Sequence, residues 1–441
     1  MNIGVIGAGY VGLVTAVCFA DLGFKVHVVE KDAVKLKKLN EAQSTIYEPG
    51  LTELLDLNIK QGRLIFTDQI KPVVEQCEAV FLCVGTPSFI DGSADMSQIE
   101  SATKEIVEST TFIKQKRLVV VKSTVPVGTA EWIDKISKLY SNGETSYIEI
   151  ASNPEFLREG AAIRDFKEPE RIVLGVASEW SKGILNRIYS SFDCPKIFTD
   201  SNTAEIIKYA SNSFLATKIS YINMVANLCE KVGADISKIS EGMGYDIRIG
   251  RDFLNAGIGF GGSCFPKDLR AFLHTGMSKN VDFSLLEKVI SINEDRPTQM
   301  VNKLKEMLWV LSGKKIAVLG LTFKPNTDDV RETPAVGLIE ALVSEGATVA
   351  ATDPLGIDNF VNMYPETAKN ITFHHNVEEV FNESHAIVLV TDWKEYKELD
   401  WKSVKALLKL PVVLDARNCL DTDLMMENGF LYACVGREIN K

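Results

Sequence analysis

Between Gly257 and Asp268 the chain reads Gly-Ile-Gly-Phe-Gly-Gly-Ser-Cys-Phe-Pro-Lys-Asp, one cysteine set among glycines and followed by a lysine and a carboxylate. Glycines remove side-chain bulk and let backbone N–H groups approach a ligand closely. A nearby cation favours the thiolate, the form that attacks carbon. Cys264 is therefore a candidate nucleophile, although such a pattern alone more often marks a structural thiol. The start of the chain supplies context. An apolar run over residues 2–6 leads into Gly7-Ala8-Gly9-Tyr10-Val11-Gly12, and residues 13–22 suit a helix. Strand, glycine turn and helix in that order point to dinucleotide binding. Gly7 makes the tight turn, Gly9 admits the pyrophosphate and Gly12 lets the helix pack on the strand, with the phosphates at the helix N-terminus. A second strand over residues 25–29 ends at Glu30, placed to bind the adenosine ribose hydroxyls. A carboxylate there repels a 2′-phosphate, so NAD is expected rather than NADP.

These residues need a scaffold, and the chain is long enough for two or three domains at 441 residues. Apolar runs at 79–84, 118–121, 148–151 and 172–176 alternate with helical stretches, the pattern of a parallel sheet covered on both faces. Polar turns follow them: Gly85-Thr86-Pro87, Lys122-Ser123-Thr124-Val125-Pro126 and Ser152-Asn153-Pro154-Glu155. Ligands of such sheets bind beyond the strand carboxyl ends, so these turns should face the cofactor. Residues 201–232 read as one long helix without proline, apolar around much of its circumference, which predicts a connector that also serves a dimer interface. A third region, from about residue 313, repeats strand, helix and strand (314–320, 335–345, 348–352 ending at Asp353), with later strands at 386–391 and 411–415. Here Gly320-Leu321-Thr322-Phe323-Lys324 replaces the glycine fingerprint, so a different phosphate ligand is expected, with Lys324 as its cationic contact. The predicted fold is α/β. Two Rossmann-like doubly wound domains (1–200 and 301–441) are joined by a long central helix and a helical dimerisation region (201–300).

The net charge of −11 argues against a nucleic-acid partner. Eight scattered cysteines include no CxxC pair, so neither a disulfide framework nor a zinc site is indicated. Cys18, Cys83 and Cys229 lie in apolar segments that suit a core. The five histidines have no metal-like spacing, and no metal is expected. No run is long enough to span a bilayer and no leader pattern opens the chain, so a cytoplasmic protein is expected.

Together the glycine turn, Gly85-Thr86-Pro87, Lys122-Ser123-Thr124-Val125-Pro126, Asn153-Pro154-Glu155-Phe156-Leu157-Arg158-Glu159-Gly160, the cysteine loop, and Phe323-Lys324 through Arg331-Glu332 resemble, in order, the motifs of the nucleotide-sugar dehydrogenases. The resemblance covers nearly the whole chain. It implies that a primary alcohol of a sugar nucleotide is oxidised to a carboxylate with two NAD, through a thiohemiacetal and a thioester on Cys264. It further implies that Lys208 and Asn212, stacked at i, i+4, project toward C6, where Lys208 stabilises oxyanions, that Glu155 helps activate the hydrolytic water, and that Thr124 and Asp268 orient water and relay the proton. For the cofactor it adds Tyr10, Val11, Lys35, Thr86, Thr124, Glu159, Lys267 and Arg331 to Glu30 and the glycines. For the sugar nucleotide it implies Glu155, Phe156, Leu157, Arg158, Lys208, Asn212, Phe253, Leu254, Asn255, Ala256, Gly257, Gly261, Phe323, Lys324 and Arg417. Arg248 resembles an arginine supplied to a neighbouring subunit's site, which makes the active unit a homodimer or higher homo-oligomer. Two departures, Arg158 for a small residue and Pro266 for Gln or Leu, bear on fine specificity.

Within the family the cysteine loop and Arg248-Ile249-Gly250 resemble the UDP-glucose branch more than the GDP-mannose branch, and UDP-linked N-acetylated sugars fit less well. Outside it stand a simple hydroxy-acid dehydrogenase, which needs neither the thiol nor a second nucleotide domain, and a nucleotide-binding regulator, against which the retention of Cys264, Lys208 and Glu155 speaks.

Overall fold

The computed structural model describes residues 1–89, 91–141 and 147–439. The chain divides into two units, Met1–Ser211 with Arg270–Asn280, and Asn212–Leu269 with Val281–Lys441.

In the first unit, eight strands form one sheet: β1 (Asn2–Ile6), β2 (Lys25–Val29), β3 (Leu64–Thr67), β4 (Ala79–Leu82), β5 (Arg117–Val121), β6 (Ile148–Ser152), β7 (Ile172–Gly175) and β8 (Lys196–Thr199). Their order is β3-β2-β1-β4-β5-β6-β7-β8. Only β6 and β7 pair antiparallel. The direction of winding reverses between β1 and β4, which opens a crevice at their carboxyl ends where such sheets take ligands. The central strands β4 and β5 are buried throughout, as a sheet covered on both faces requires. Because side chains alternate along a strand, these strands feed two separate cores. Phe81, Leu118 and Val120 pack with Leu13 and Val17 on one face, while Val80, Leu82, Val119 and Val121 pack with Ile99, Ile106 and Ile133 on the other.

The second unit repeats the plan with β9 (Lys315–Leu319), β10 (Thr348–Thr352), β11 (Ile371–Phe373), β12 (Ala386–Leu389), β13 (Val412–Asp415) and β14 (Leu431–Cys434). All are parallel, in the order β11-β10-β9-β12-β13-β14. Ile316 and Val318 face one core, Ala317 and Leu319 the other. The expected long helix runs from Ser201 to Val232. Another, Ser284–Leu308, contains Pro297. The four strands that the sequence pattern did not yield, β3, β8, β11 and β14, are the edges of the two sheets. No helix among the described residues is long and apolar enough to cross a membrane.

Candidate active site

The glycine turn after β1 is shaped by backbone crowding. Gly7 has φ +95°, and a Cβ there would lie 2.8 Å from the Cys83 carbonyl oxygen; a Cβ on Gly12 would lie 1.9 Å from the Gly7 oxygen. Around Gly9, by contrast, nothing lies within 4 Å. Two glycines are thus demanded by packing, and the third leaves open space at a helix N-terminus, which fits a pyrophosphate. Glu30 is partly exposed just past β2, its Oε1 accepting from the Asp32 N–H at 2.9 Å. Val11 is partly exposed and Lys35 exposed. Thr86 Oγ1 donates to the Thr124 carbonyl at 2.7 Å, which joins the turns after β4 and β5.

The same unit holds a buried ion pair. Lys208, 3% exposed, donates from Nζ to Glu155 Oε1 and to the Glu155 backbone oxygen, both at 2.8 Å. Burial works to raise the Glu155 pKa. The charge and hydrogen bond of Lys208, the Leu157 N–H at 2.6 Å and the charge of Lys122 outweigh it and hold the carboxyl below its ordinary range. Lys122, itself buried, donates to Asn153 Oδ1 at 3.2 Å, and the Tyr189 hydroxyl donates to the same oxygen at 2.5 Å. A small hollow of about 10 Å3, room for one water, is lined by Thr124, Glu205, Lys208 and Tyr209. The Phe156 ring lies 3.9 Å from the Arg171 guanidinium and 5.5 Å from Lys208 Nζ, while Arg158 pairs with Asp165 at 2.6 Å.

In the second unit the Cys264 carbonyl accepts the Asp268 N–H at 2.9 Å, so the cysteine sits at the N-cap of the helix Phe265–Ser278. The positive end of a helix favours a thiolate. Cys264 is partly exposed, with Ser263 Oγ 3.6 Å from its sulfur. Burial pushes the Cys18, Cys77 and Cys83 thiols each up to about 12, leaving them protonated at neutral pH. Behind Cys264, the Asp268 carboxylate is 1% exposed, accepts from Asn212 Nδ2 at 2.6 Å and pairs with Lys267 Nζ at 2.9 Å. Lys208 and Asn212 lie one turn apart on the long helix.

The loop leading to Cys264 is held at nearly every peptide. Asn223 Oδ1 accepts the Gly257 N–H at 2.8 Å and Arg296 Nε donates to the Gly257 oxygen at 2.9 Å. Asn293 takes both sides of Phe260, its Oδ1 accepting the N–H at 2.8 Å and its Nδ2 donating to the carbonyl at 2.9 Å. At Gly261 a Cβ would stand 2.2 Å from the Glu332 oxygen.

Arg417, expected to meet the sugar nucleotide, is engaged mostly with backbone. It donates to the carbonyls of Val390 (2.6 Å), Gly259 (2.8 Å) and Phe323 (3.0 Å). It also borders a hollow of about 210 Å3 shared with Leu254, Asn255, Ala256 and Asp392. Phe253 stands near Phe265 with φ +63°. Lys324 Nζ lies 5.3 Å from the Phe323 ring. Arg331 is paired with Asp329 at 2.7 Å, and Arg248, 85% exposed in its side chain, with Asp246 at 2.5 Å. Asp353 stands after β10 as Glu30 does after β2, but it is buried and accepts from Leu321 N–H (2.7 Å), Thr322 N–H (3.0 Å) and Gly356 N–H (2.8 Å). Its oxygens are consumed by the fold, so this second sheet lacks the acid that a dinucleotide ribose requires.

Three family models cover most of the chain: the NAD binding domain of the UDP-glucose/GDP-mannose dehydrogenase family over residues 1–193, its central domain over 202–295 and its UDP binding domain over 317–422. The chain belongs to the UDP-glucose/GDP-mannose dehydrogenase family. Among its relatives, a UDP-glucose 6-dehydrogenase of Bacillus subtilis (strain 168) is 43% identical over 436 residues, which cover 99% of this chain and 93% of the relative. The solved UDP-glucose dehydrogenase of Pyrobaculum islandicum superposes with a TM-score of 0.89 at 38% identity, covering 95% of this chain and 94% of that one. A UDP-D-ManNAc dehydrogenase from Pyrococcus horikoshii gives 0.85 at 28% identity, over 99% of both chains. The glycine turn with its open space at Gly9 is thus part of a UDP-glucose/GDP-mannose dehydrogenase NAD binding domain. Sequence reasoning missed Asn223, Asn293 and Arg296. Their roles arise from distant backbone groups, and no local spacing marks them.

Proposed function

We propose that this enzyme oxidises the C6 alcohol of UDP-glucose to the carboxylate of UDP-glucuronate, reducing two NAD per sugar nucleotide through a covalent intermediate on Cys264. What carries the reading is a partly exposed cysteine at a helix N-cap, backed by Asp268, Asn212 and Lys267, in a chain 43% identical to a UDP-glucose 6-dehydrogenase. NAD, held by the turn Gly7 to Gly12 with Tyr10, Val11, Glu30, Lys35, Thr86, Thr124, Glu159, Lys267 and Arg331, supplies the hydride acceptor for both oxidations.

The chain's own groups do the rest. The Cys264 thiolate adds to the aldehyde formed in the first oxidation, giving a thiohemiacetal whose oxyanion Lys208 and Asn212 stabilise. Loss of the second hydride from the same carbon leaves a thioester. Water oriented by Thr124 and Asp268, with Glu155 accepting its proton, attacks the thioester carbonyl; the C–S bond breaks and the thiolate returns. Glu155 holds the Lys208 ammonium at 2.8 Å, so the pair must loosen as the oxyanion forms and close again on its departure. Glu155 to Arg158, Phe253 to Gly257, Gly261, Phe323, Lys324 and Arg417 are assigned to the sugar nucleotide.

We further infer a cytoplasmic homodimer in which Arg248 serves the neighbouring subunit, and a division into a cofactor domain (1–200), a central helical domain (201–300) and a sugar-nucleotide domain (301–441). A UDP-linked N-acetylated sugar is the second reading, supported by the likeness to the Pyrococcus horikoshii enzyme. The test is NADH formed per UDP-glucose consumed. About two equivalents are expected for the wild type, with turnover lost and the sugar trapped or released as aldehyde in Cys264→Ser. One equivalent with an unaffected Cys264→Ser would sink the reading.

A further inference from the structure

Glu48 lies in Tyr47-Glu48-Pro49-Gly50, ahead of the helix Leu51–Lys60, with nothing in its local sequence to set it apart. Its carboxylate is nevertheless buried at 6% exposure and gathers three donors from two distant segments. The Tyr10 hydroxyl donates to Oε2. The Gly160 N–H donates to the same oxygen at 2.7 Å, and the Ala162 N–H donates to Oε1 at 2.7 Å. Gly160 N–H also reaches the Tyr10 oxygen at 3.2 Å, closing the cluster. Tyr10 opens the helix Tyr10–Asp21 and lies next to Gly9 in the cofactor turn. Gly160, at φ +77°, ends the segment that begins at Glu155, and Ala162 begins the helix Ala162–Lys167, whose own N-cap residue offers no side-chain bond. Burial first, and then the bond to Glu48, keeps the Tyr10 hydroxyl protonated, so it stays a donor.

We propose that Glu48 is a positioning residue that couples the two ligand sites: it ties the cofactor turn, through Tyr10, to the end of the segment Glu155–Gly160, whose Glu155 to Arg158 are assigned to the sugar nucleotide, so that filling one site favours filling the other. The inference rests on the function proposed above. Only an acceptor with two free oxygens can meet three donors here. An amide at this position turns its own N–H groups towards one of them and opens the cluster. Ordering of either segment by its ligand is then passed to the other through a rigid, fully satisfied network.

The test uses NADH, which cannot oxidise the sugar. Its dissociation constant is measured by fluorescence in the intact enzyme with and without saturating UDP-glucose. In the wild type UDP-glucose should tighten NADH binding by about 5-fold or more, within the usual range for coupled sites. In Glu48→Gln the ratio should fall to within about 2-fold of unity. Tyr10→Phe, which removes one hydroxyl, should lose part of the coupling, and the double variant should lose no more than Glu48→Gln alone. Should Glu48→Gln fold poorly, Tyr10→Phe decides the matter by itself. An active wild type without coupling overturns the inference, as do variants that keep the full ratio. A wild type that does not reduce NAD with UDP-glucose sinks the function and not only this coupling.

Discussion

Lys208 and Glu155 form a pair in which each side chain is 4% exposed, and a pair so placed is costly to break on one side only. Glu155→Gln leaves a buried ammonium without its partner and should destabilise the enzyme by about 3–5 kcal/mol at pH 7, read by urea unfolding. The pH dependence follows from the direction of the shift. The folded Glu155 carboxyl lies below its ordinary 4.5, so its contribution is complete above that value and is lost as pH falls through the lowered folded pKa. The gap between wild type and Glu155→Gln should therefore close on acidification, and a gap that stays constant down to pH 3 refutes the pairing. Cys264 and Glu155 could be picked out in the sequence because their side-chain chemistry announces itself within motifs, whereas Lys208 lies in none of them and entered only through the resemblance. Glu48 and Asn293 could not be picked out. Apart from the Tyr10 hydroxyl on Glu48, their partners are N–H and carbonyl groups 112 to 114 and 33 positions away, and a backbone group has no letter of its own.

At the level of strands and helices, the sequence yielded the interiors of both sheets and lost the borders. Interior parallel strands such as β4 and β5 are buried throughout and read as unbroken apolar runs. The border strand β11 has three residues, and β8 is partly exposed along its length, so neither stands out from its surroundings. The helix Ser201–Val232 was legible because its apolar residues continue without a proline or glycine. How the cysteine loop is held was not legible, since its clamp comes from the helix Ser284–Leu308. Removing that clamp tests its worth. Asn293→Ala strips the Phe260 peptide of both its bonds and should cost about 1–3 kcal/mol of stability. Through loss of preorganisation at Cys264, kcat should fall by about 10-fold or more. The measurement pairs thermal unfolding with turnover, and NADH affinity serves as the control. A variant that loses stability and keeps kcat would show the clamp to be packing alone.

The proposed dimer makes the strictest demand on the protein as an assembly. From Asn212 onward the long helix exposes Phe214, Tyr221, Met224, Leu228 and Val232, each 47% exposed or more. Their spacing of seven, three, four and four keeps them on one face, an apolar stripe longer than a soluble surface usually leaves uncovered. Tyr221→Glu with Leu228→Glu should shift the protein to monomers in sedimentation velocity. Arg248 bonds to Asp246 and stands otherwise in the open, as suits a side chain meant for a neighbour. If Arg248 completes the partner's site, Arg248→Ala and Cys264→Ala enzymes, each inactive alone, should complement when unfolded together and refolded as a mixture. In a twofold dimer, half of the random pairs are mixed, and each mixed pair holds one site with both the cysteine and the arginine. Activity should then recover to about a quarter of the wild-type value. No recovery, with mixed dimers demonstrated by tagged subunits, would confine Arg248 to its own chain and remove the reason for the active unit to be a dimer.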